Sequence, residues 1–101
     1  MKIRFSKNAE KHLDDIFNFI CNASERAAVN TYNTILDEID RLANQPKIAS
    51  KELLLEEFSH EYRSLVVMKK YKVIYFIDNE IVHISAVWDC RRNLDALVKE
   101  I

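Results

Sequence analysis

The chain has 101 residues, 49% of them apolar, with one proline, no glycine and a formal net charge of −1. That length gives a single domain with one modest core, and that composition favours a folded globule over a disordered chain. The missing glycine excludes phosphate-cradling loops of the Walker or Rossmann kind, and the near-zero charge excludes a protein that coats nucleic acid non-specifically.

Lys2 to Phe5 alternates polar and apolar residues, which predicts a short strand with Ile3 and Phe5 on one face. Ser6 is placed to cap a helix running to about Cys21. Its apolar stripe is Leu13, Ile16, Phe17 and Ile20, with Glu10, Lys11, Asp14 and Asp15 largely outside it. Asn22 with Glu25 has the form of a capping box for a second helix that reaches about Asn44. Ala28, Tyr32, Ile35, Ile39 and Leu42 make the second stripe, widened by Val29, Leu36 and Ala43. At ~1.5 Å per residue this helix is roughly 30 Å long, and Gln45-Pro46 stops it. A link of two or three residues predicts an antiparallel helical hairpin.

Residues 47–60 carry the weakest pattern. Leu53-Leu54-Leu55 is apolar between Lys51, Glu52, Glu56 and Glu57, and fits either a short edge strand or an irregular crossing over the core. Tyr62 to Val67, Tyr71 to Ile77 and Glu80 to Trp88 are rich in β-branched and aromatic residues and predict an antiparallel meander. Without glycine, turns needing positive φ fall to Asn or Asp, as at Asp78-Asn79. The middle run is apolar on both faces and reads as the central strand. On the last, Val82, Ile84, Ala86 and Trp88 point one way, and His83, Ser85, Val87 and Asp89 the other. Leu94 to Ile101 adds a helical turn or two. The predicted fold is α+β over residues 1–101: an N-terminal strand, an antiparallel helical hairpin, then a three-stranded antiparallel meander, with the helices on one face of the sheet.

Cys21 and Cys90 have neither metal-ligand spacing nor the density of a disulfide scaffold, so no metal or other cofactor is expected. No window reaches the ~18 consecutive apolar residues of a membrane span, and the amino terminus shows no apolar leader run. A reducing cytoplasm, away from membrane, is the expected location.

The meander brings the link Met68-Lys69-Lys70 and the segment Asp89-Cys90-Arg91-Arg92 to the same end of the sheet. Lys69, Lys70, Lys72, Arg91 and Arg92 should therefore converge there, as a rim for an anionic partner, either nucleic acid or acidic protein. The same residues also fit a solvated sheet end whose charges prevent edge pairing. Arg63 sits on the order of 13 Å back along its strand, at ~3.3 Å per residue, and fits an ion pair with Glu61, Glu56 or Glu57 as well as a catalytic place. His83 is roughly 26 Å from Arg91 along the last strand, too far for one phosphate, and reads as structural. His60 lies at the same remote end and His12 on the first helix, neither with a visible partner. Cys90 reads as a small half-buried residue closing the strand, and Trp88 and Tyr75 as core rather than base-stacking platforms.

This layout, with Tyr62-Arg63, Tyr71-Lys72-Val73-Ile74-Tyr75 and Val87-Trp88-Asp89-Cys90-Arg91-Arg92-Asn93, resembles the RelE/ParE superfamily of small bacterial toxins over essentially the whole chain. The resemblance implies the toxin half of a type II, plasmid-stabilisation type toxin–antitoxin module, neutralised by direct binding of a cognate antitoxin protein. It also implies one of two activities: RelE-like cleavage of messenger RNA in the ribosomal A site, or ParE-like poisoning of DNA gyrase. Cleaving RNA through its own 2′-hydroxyl needs a base, an acid, and cations for the negative transition state. By resemblance, Arg63, Lys72 and Arg91 or Arg92 fall at the basic positions of RelE-like enzymes and are the catalytic candidates.

Two departures favour the ParE-like side. Leu65 stands where a RelE-like enzyme has a second-strand lysine, and the tail from Asn93 to Ile101 has no Tyr or His. A near-neutral chain is also a poor match for ribosomal RNA, where phosphate contacts supply much of the affinity. The expected target contacts are Lys69, Lys70, Lys72, Arg91 and Arg92. The antitoxin is expected on surplus apolar width at Tyr32, Leu36 and Ala43, or on an open sheet edge. The alternatives are a ribosome-dependent endoribonuclease using Lys72, Arg91 and Arg92 electrostatically, and a degenerate toxin that keeps fold and antitoxin binding without activity.

Overall fold

Ser6 ends one element and starts the next. Its extended backbone lets Oγ accept the Ala9 amide at 3.0 Å, so β1 (Lys2–Phe5) runs directly into α1 (Lys7–Cys21). This computed structural model describes all 101 residues, Met1–Ile101. The second helix is capped by Ser24 rather than Asn22: Ser24 is extended and its Oγ accepts the Ala27 amide at 3.1 Å. Asn22 stays helical and caps the carboxyl end of α1. The hydroxyl of Ser24 supplies the acceptor that the start of α2 (Glu25–Arg41) lacks within its own backbone. That helix ends at Arg41, short of Asn44, because Leu42 and Ala43 tighten into turns, their amides bonding Ile39 and Asp40 at 2.9 and 3.1 Å.

After the hairpin come β2 (Ser50–Lys51), a 3-10 turn at Leu53–Leu55, β3 (Arg63–Val67), β4 (Tyr71–Asp78), β5 (Ile81–Asp89) and α3 (Leu94–Glu100). Of the two alternatives for Leu53-Leu54-Leu55, the leucines take the crossing, as a 3-10 turn that buries Leu55, and a minimal edge strand falls just before them at Ser50–Lys51. The sheet order is β1-β5-β4-β3-β2. β1 lies parallel to β5, with Ile3 opposite Val82, and every other pairing is antiparallel.

Both hairpin turns place two adjacent residues at positive φ: Met68 (56°) with Lys69 (58°), and Asn79 (52°) with Glu80 (60°). Such turns match the right-handed twist of the strands they join. The second turn sits one residue later than expected, because Asp78 still pairs with Ile81.

A bulge in β5 changes the predicted faces. Ile74 pairs with Ala86 and Tyr75 with Ile84, which leaves Ser85 as an extra residue. Alternation inverts there: Val82, Ile84 and Val87 pack with the helices, while Ala86 and Trp88 pack on the other side. The expected single face of Val82, Ile84, Ala86 and Trp88 is therefore split.

The helical hairpin covers one face as predicted, burying Leu13, Ile35, Ile39 and Leu42 against Val73, Tyr75, Val82 and Ile84. The opposite face is also covered. There Ile74, Ala86 and Trp88 pack with Leu55 of the 3-10 turn and Leu97 of α3. No helix is long and apolar enough to cross a membrane.

Candidate functional site

The turn after β3 and the segment after β5 do meet. The Cys90 amide donates to the Lys70 carbonyl at 2.8 Å, and Tyr71 stands opposite Asp89. Lys69, Lys70, Arg91 and Arg92 therefore share one end of the sheet. Lys72 stays at this end of the sheet but turns away from the helices. With Tyr71 packed toward the helices, pleat alternation sends the next side chain to the opposite face, where Nζ lies 2.8 Å from Oε1 of Glu52. That face also carries Trp88, directly across from Lys72 and under Arg92, so the five cations are divided between two faces and Lys72 is matched by Glu52.

Within the rim, the charges differ in how freely they act. Arg91 holds Asp89 with two guanidinium bonds, Nε at 3.1 Å and Nη2 at 2.7 Å, and its own backbone amide adds a third at 2.9 Å. Hydrogen bonding from Arg91 keeps the Asp89 carboxyl below the usual carboxylate range, and Asp89 in turn raises Arg91. Arg92 lies with its guanidinium carbon 4.1 Å over the Trp88 ring and 3.7 Å from a Glu100 oxygen. Lys69 and Lys70 form no ion pair, unlike Lys72, Arg91 and Arg92.

Between this end of the sheet and α1 lies a cavity of about 360 Å³ lined by His12, Ile16, Phe19, Tyr71, Val87 and Arg91 among others. His12 is buried and fully engaged: Nδ1 accepts the Val87 amide at 3.2 Å, and Nε2 lies 2.8 Å from Oε1 of Glu100. An accepting Nδ1 puts the neutral ring's proton on Nε2, facing the carboxylate. Because β1 pairs only with Ile81 to Ile84, this imidazole satisfies an amide farther along β5, on the side that β1 no longer covers. The partner was invisible in the sequence, since Glu100 is 88 residues away.

The Glu52–Lys72 pair was likewise missed. Burial pushes the Glu52 carboxyl up, but the Lys72 ammonium and the Leu54 amide outweigh it and leave the group below its ordinary value of 4.5. Arg63 bonds the Ala49 carbonyl at 2.7 Å, and Glu61, one of its expected partners, pairs instead with Lys51 at 2.7 Å. The guanidinium thus clamps the chain leading into β2.

His83 and His60 stack on either side of Phe76, with ring centroids 4.7 and 3.8 Å away, at the opposite end of β5 from Arg91 and Arg92. Trp88 and Tyr75 are fully buried, the latter with its hydroxyl donating to the Pro46 carbonyl at 2.8 Å. Cys90 closes its strand exposed, not half-buried.

Of the residues expected to receive an antitoxin, Tyr32 and Leu36 are half-buried in a groove with Phe5, Leu13, Glu10 and Asp14. Ala43 lies outside that groove, and its carbonyl accepts the Met1 amino group at 2.8 Å. The sheet has an open edge as well. β2 pairs only with Arg63 and Ser64, leaving the outer side of Leu65–Val67 uncovered beside exposed Val66 and Met68.

The sequence pattern of a family described as "ParE toxin of type II toxin-antitoxin system, parDE" matches residues 3–94. No curated protein matches the chain. A solved chain from the "Chromosomal ParDE TA system from P. aeruginosa" superposes with a TM-score of 0.70 at 17% identity, covering 88% of this chain and 95% of that one. At such identity the likeness is one of fold, and it agrees with the strand–hairpin–meander order built above. The family pattern reaches from Ile3 in β1 to Leu94 at the start of α3, so it takes in the hairpin, the whole sheet and the arginine segment, and the chain belongs to the ParE toxin family of type II toxin–antitoxin systems.

Proposed function

We propose that the protein arrests growth in the cytoplasm by binding DNA gyrase through the basic end of its sheet, and that a cognate antitoxin neutralises it by covering the helical hairpin or the free edge of β3. The observation that carries this reading is the separation of the cations. Lys69, Lys70, Arg91 and Arg92 share one end of the sheet, while Lys72 is tied to Glu52 and Arg63 to a backbone carbonyl.

RNA cleavage would need such groups, with an acid–base partner, around a single phosphate. A charged surface that docks on an acidic protein needs no such convergence; it needs only complementary sign. The antitoxin half of the reading draws on two unpartnered features, the groove at Tyr32 and Leu36 and the open side of Leu65–Val67. An amphipathic helix suits the first and an added strand the second.

Supercoiling by purified gyrase tests the proposal directly. Added toxin is expected to inhibit the reaction, and a stoichiometric antitoxin to restore it. Normal supercoiling at saturating toxin overturns the gyrase assignment. Codon-positioned message cleavage that disappears in Lys72→Ala and Arg91→Ala variants moves the function to RNA.

A further inference from the structure

The cavity between α1 and the basic end of the sheet is unused by anything described so far. Its volume of about 360 Å³ lies at the low end for binding pockets, enough for one large side chain rather than an extended ligand. The walls are apolar, from Ile16, Phe19 and Val87. At its floor Tyr71 is only 3% exposed, yet its hydroxyl takes part in no hydrogen bond. The only fully buried side-chain polar atom without a partner is Nε1 of Trp88, so the Tyr71 hydroxyl reaches open space, where it can donate to an incoming acceptor.

The mouth has two further features. Phe19 is 64% exposed, a phenyl ring held out in water with the Arg91 guanidinium 5.5 Å from its centroid. Aromatic and arginine side chains set together are the residue types over-represented among energetic anchors of protein interfaces. The carboxylates that line the cavity are already matched, Asp89 by Arg91 and Asp15 by Lys11 at 3.3 Å. That leaves Arg92, shared loosely with Glu100, and the unpaired Lys69 and Lys70 to set a positive local field in a chain whose net charge is −1.

We propose that this cavity is an anchor pocket for one aromatic or branched apolar side chain carried on an acidic protein segment, whose flanking carboxylates meet Arg92, Lys69 and Lys70 and whose acceptor oxygen meets the Tyr71 hydroxyl. The assignment rests on the basic sheet end being the target-contacting surface, and it names the kind of segment that surface holds. Apolar walls and a volume suited to one side chain favour a peptide anchor over the charged backbone of a nucleic-acid strand.

The molecule carries its own reporter. Trp88 is the only tryptophan, and it touches two cavity-lining residues, lying under Arg92 and edge-on to His12 at 5.7 Å. Its fluorescence can be followed while the full chain is titrated with three synthetic peptides of equal length. One carries a central Phe between Asp and Glu residues, one has Ala in place of Phe, and one keeps Phe but replaces the acids with Lys. A saturable change is expected with the first, at least tenfold weaker binding with the second, and none with the third.

Phe19→Ala should weaken the first peptide about tenfold, the size of an interface anchor, without lowering Tm, since that side chain lies in solvent. Equal affinity for the Phe and Ala peptides, indifference to Phe19→Ala, or tighter binding of a single-stranded oligonucleotide each overturns the pocket. Supercoiling assays run alongside separate the two failures. Inhibition that is unchanged in Phe19→Ala, with no peptide binding, removes the pocket and keeps the gyrase reading. Peptide binding with no inhibition by the wild-type chain does the reverse.

Discussion

Glu80 and its neighbour Asn79 occupy a backbone region that costs a residue with a Cβ about 1–2 kcal/mol, and the chain has no glycine to relieve it. Glu80→Gly should therefore stabilise the fold by roughly 0.5–1 kcal/mol, the gain being trimmed by the freer unfolded chain; urea denaturation checks it. Glu52 gives a pH signature. Its carboxyl is depressed in the folded state, so its contribution is full above the ordinary value of 4.5 and fades as pH falls through the lower folded value. Glu52→Gln should cost about 1–3 kcal/mol at neutral pH, because Lys72 is left without its partner. It should also flatten the loss of stability below about pH 4.5, measured as denaturation midpoints across the acid limb. Neither this pair nor His12–Glu100 was legible in the sequence, for a simple reason: side-chain partners 20 and 88 residues apart leave no local pattern.

At the level of elements, what repeats locally was readable and what depends on one extra residue was not. The stripe of Leu13, Ile16, Phe17 and Ile20 and the Ser6 cap fixed α1 to its ends, since a helix declares itself every 3.6 residues. At α2 two polar residues competed for the cap, and Ser24 won because Asn22 was still needed by the preceding helix. The bulge at Ser85 could not be placed, because Ala86, Val87 and Trp88 are all apolar and fit either face. Deleting Ser85 tests how much rides on it. Removal should rotate the residues on one side of the bulge by one position, pushing Trp88 or Val82 out of its core. The expected result is loss of cooperative unfolding and a red-shifted tryptophan emission, whereas Ser85→Ala, which keeps the count, should stay cooperative.

For the molecule as a whole, the charge is nearly balanced, but its distribution is not. Lys69 and Lys70 stand unpaired beside the two arginines, so reversing them, Lys69→Glu with Lys70→Glu, should slow association with an acidic partner at least tenfold at low salt. The difference should shrink as ionic strength approaches 1 M, where the Debye length is about 3 Å; stopped-flow binding measures both. The chain order of strands was enough to predict that the two basic segments meet. It was not enough to predict that Glu52 takes Lys72, because that depends on which pleat face Tyr71 takes.

One pairing in the sheet has a temporal consequence. Lys2 lies beside Ile81, so β1 waits for β5 before it has a strand partner. Until then the hairpin can rest only on β3 and β4, and contacts as distant in sequence as β1 with β5 are slow to form. Completion of the five-stranded sheet is therefore a late step of folding, gated by the arrival of β5 beside β1.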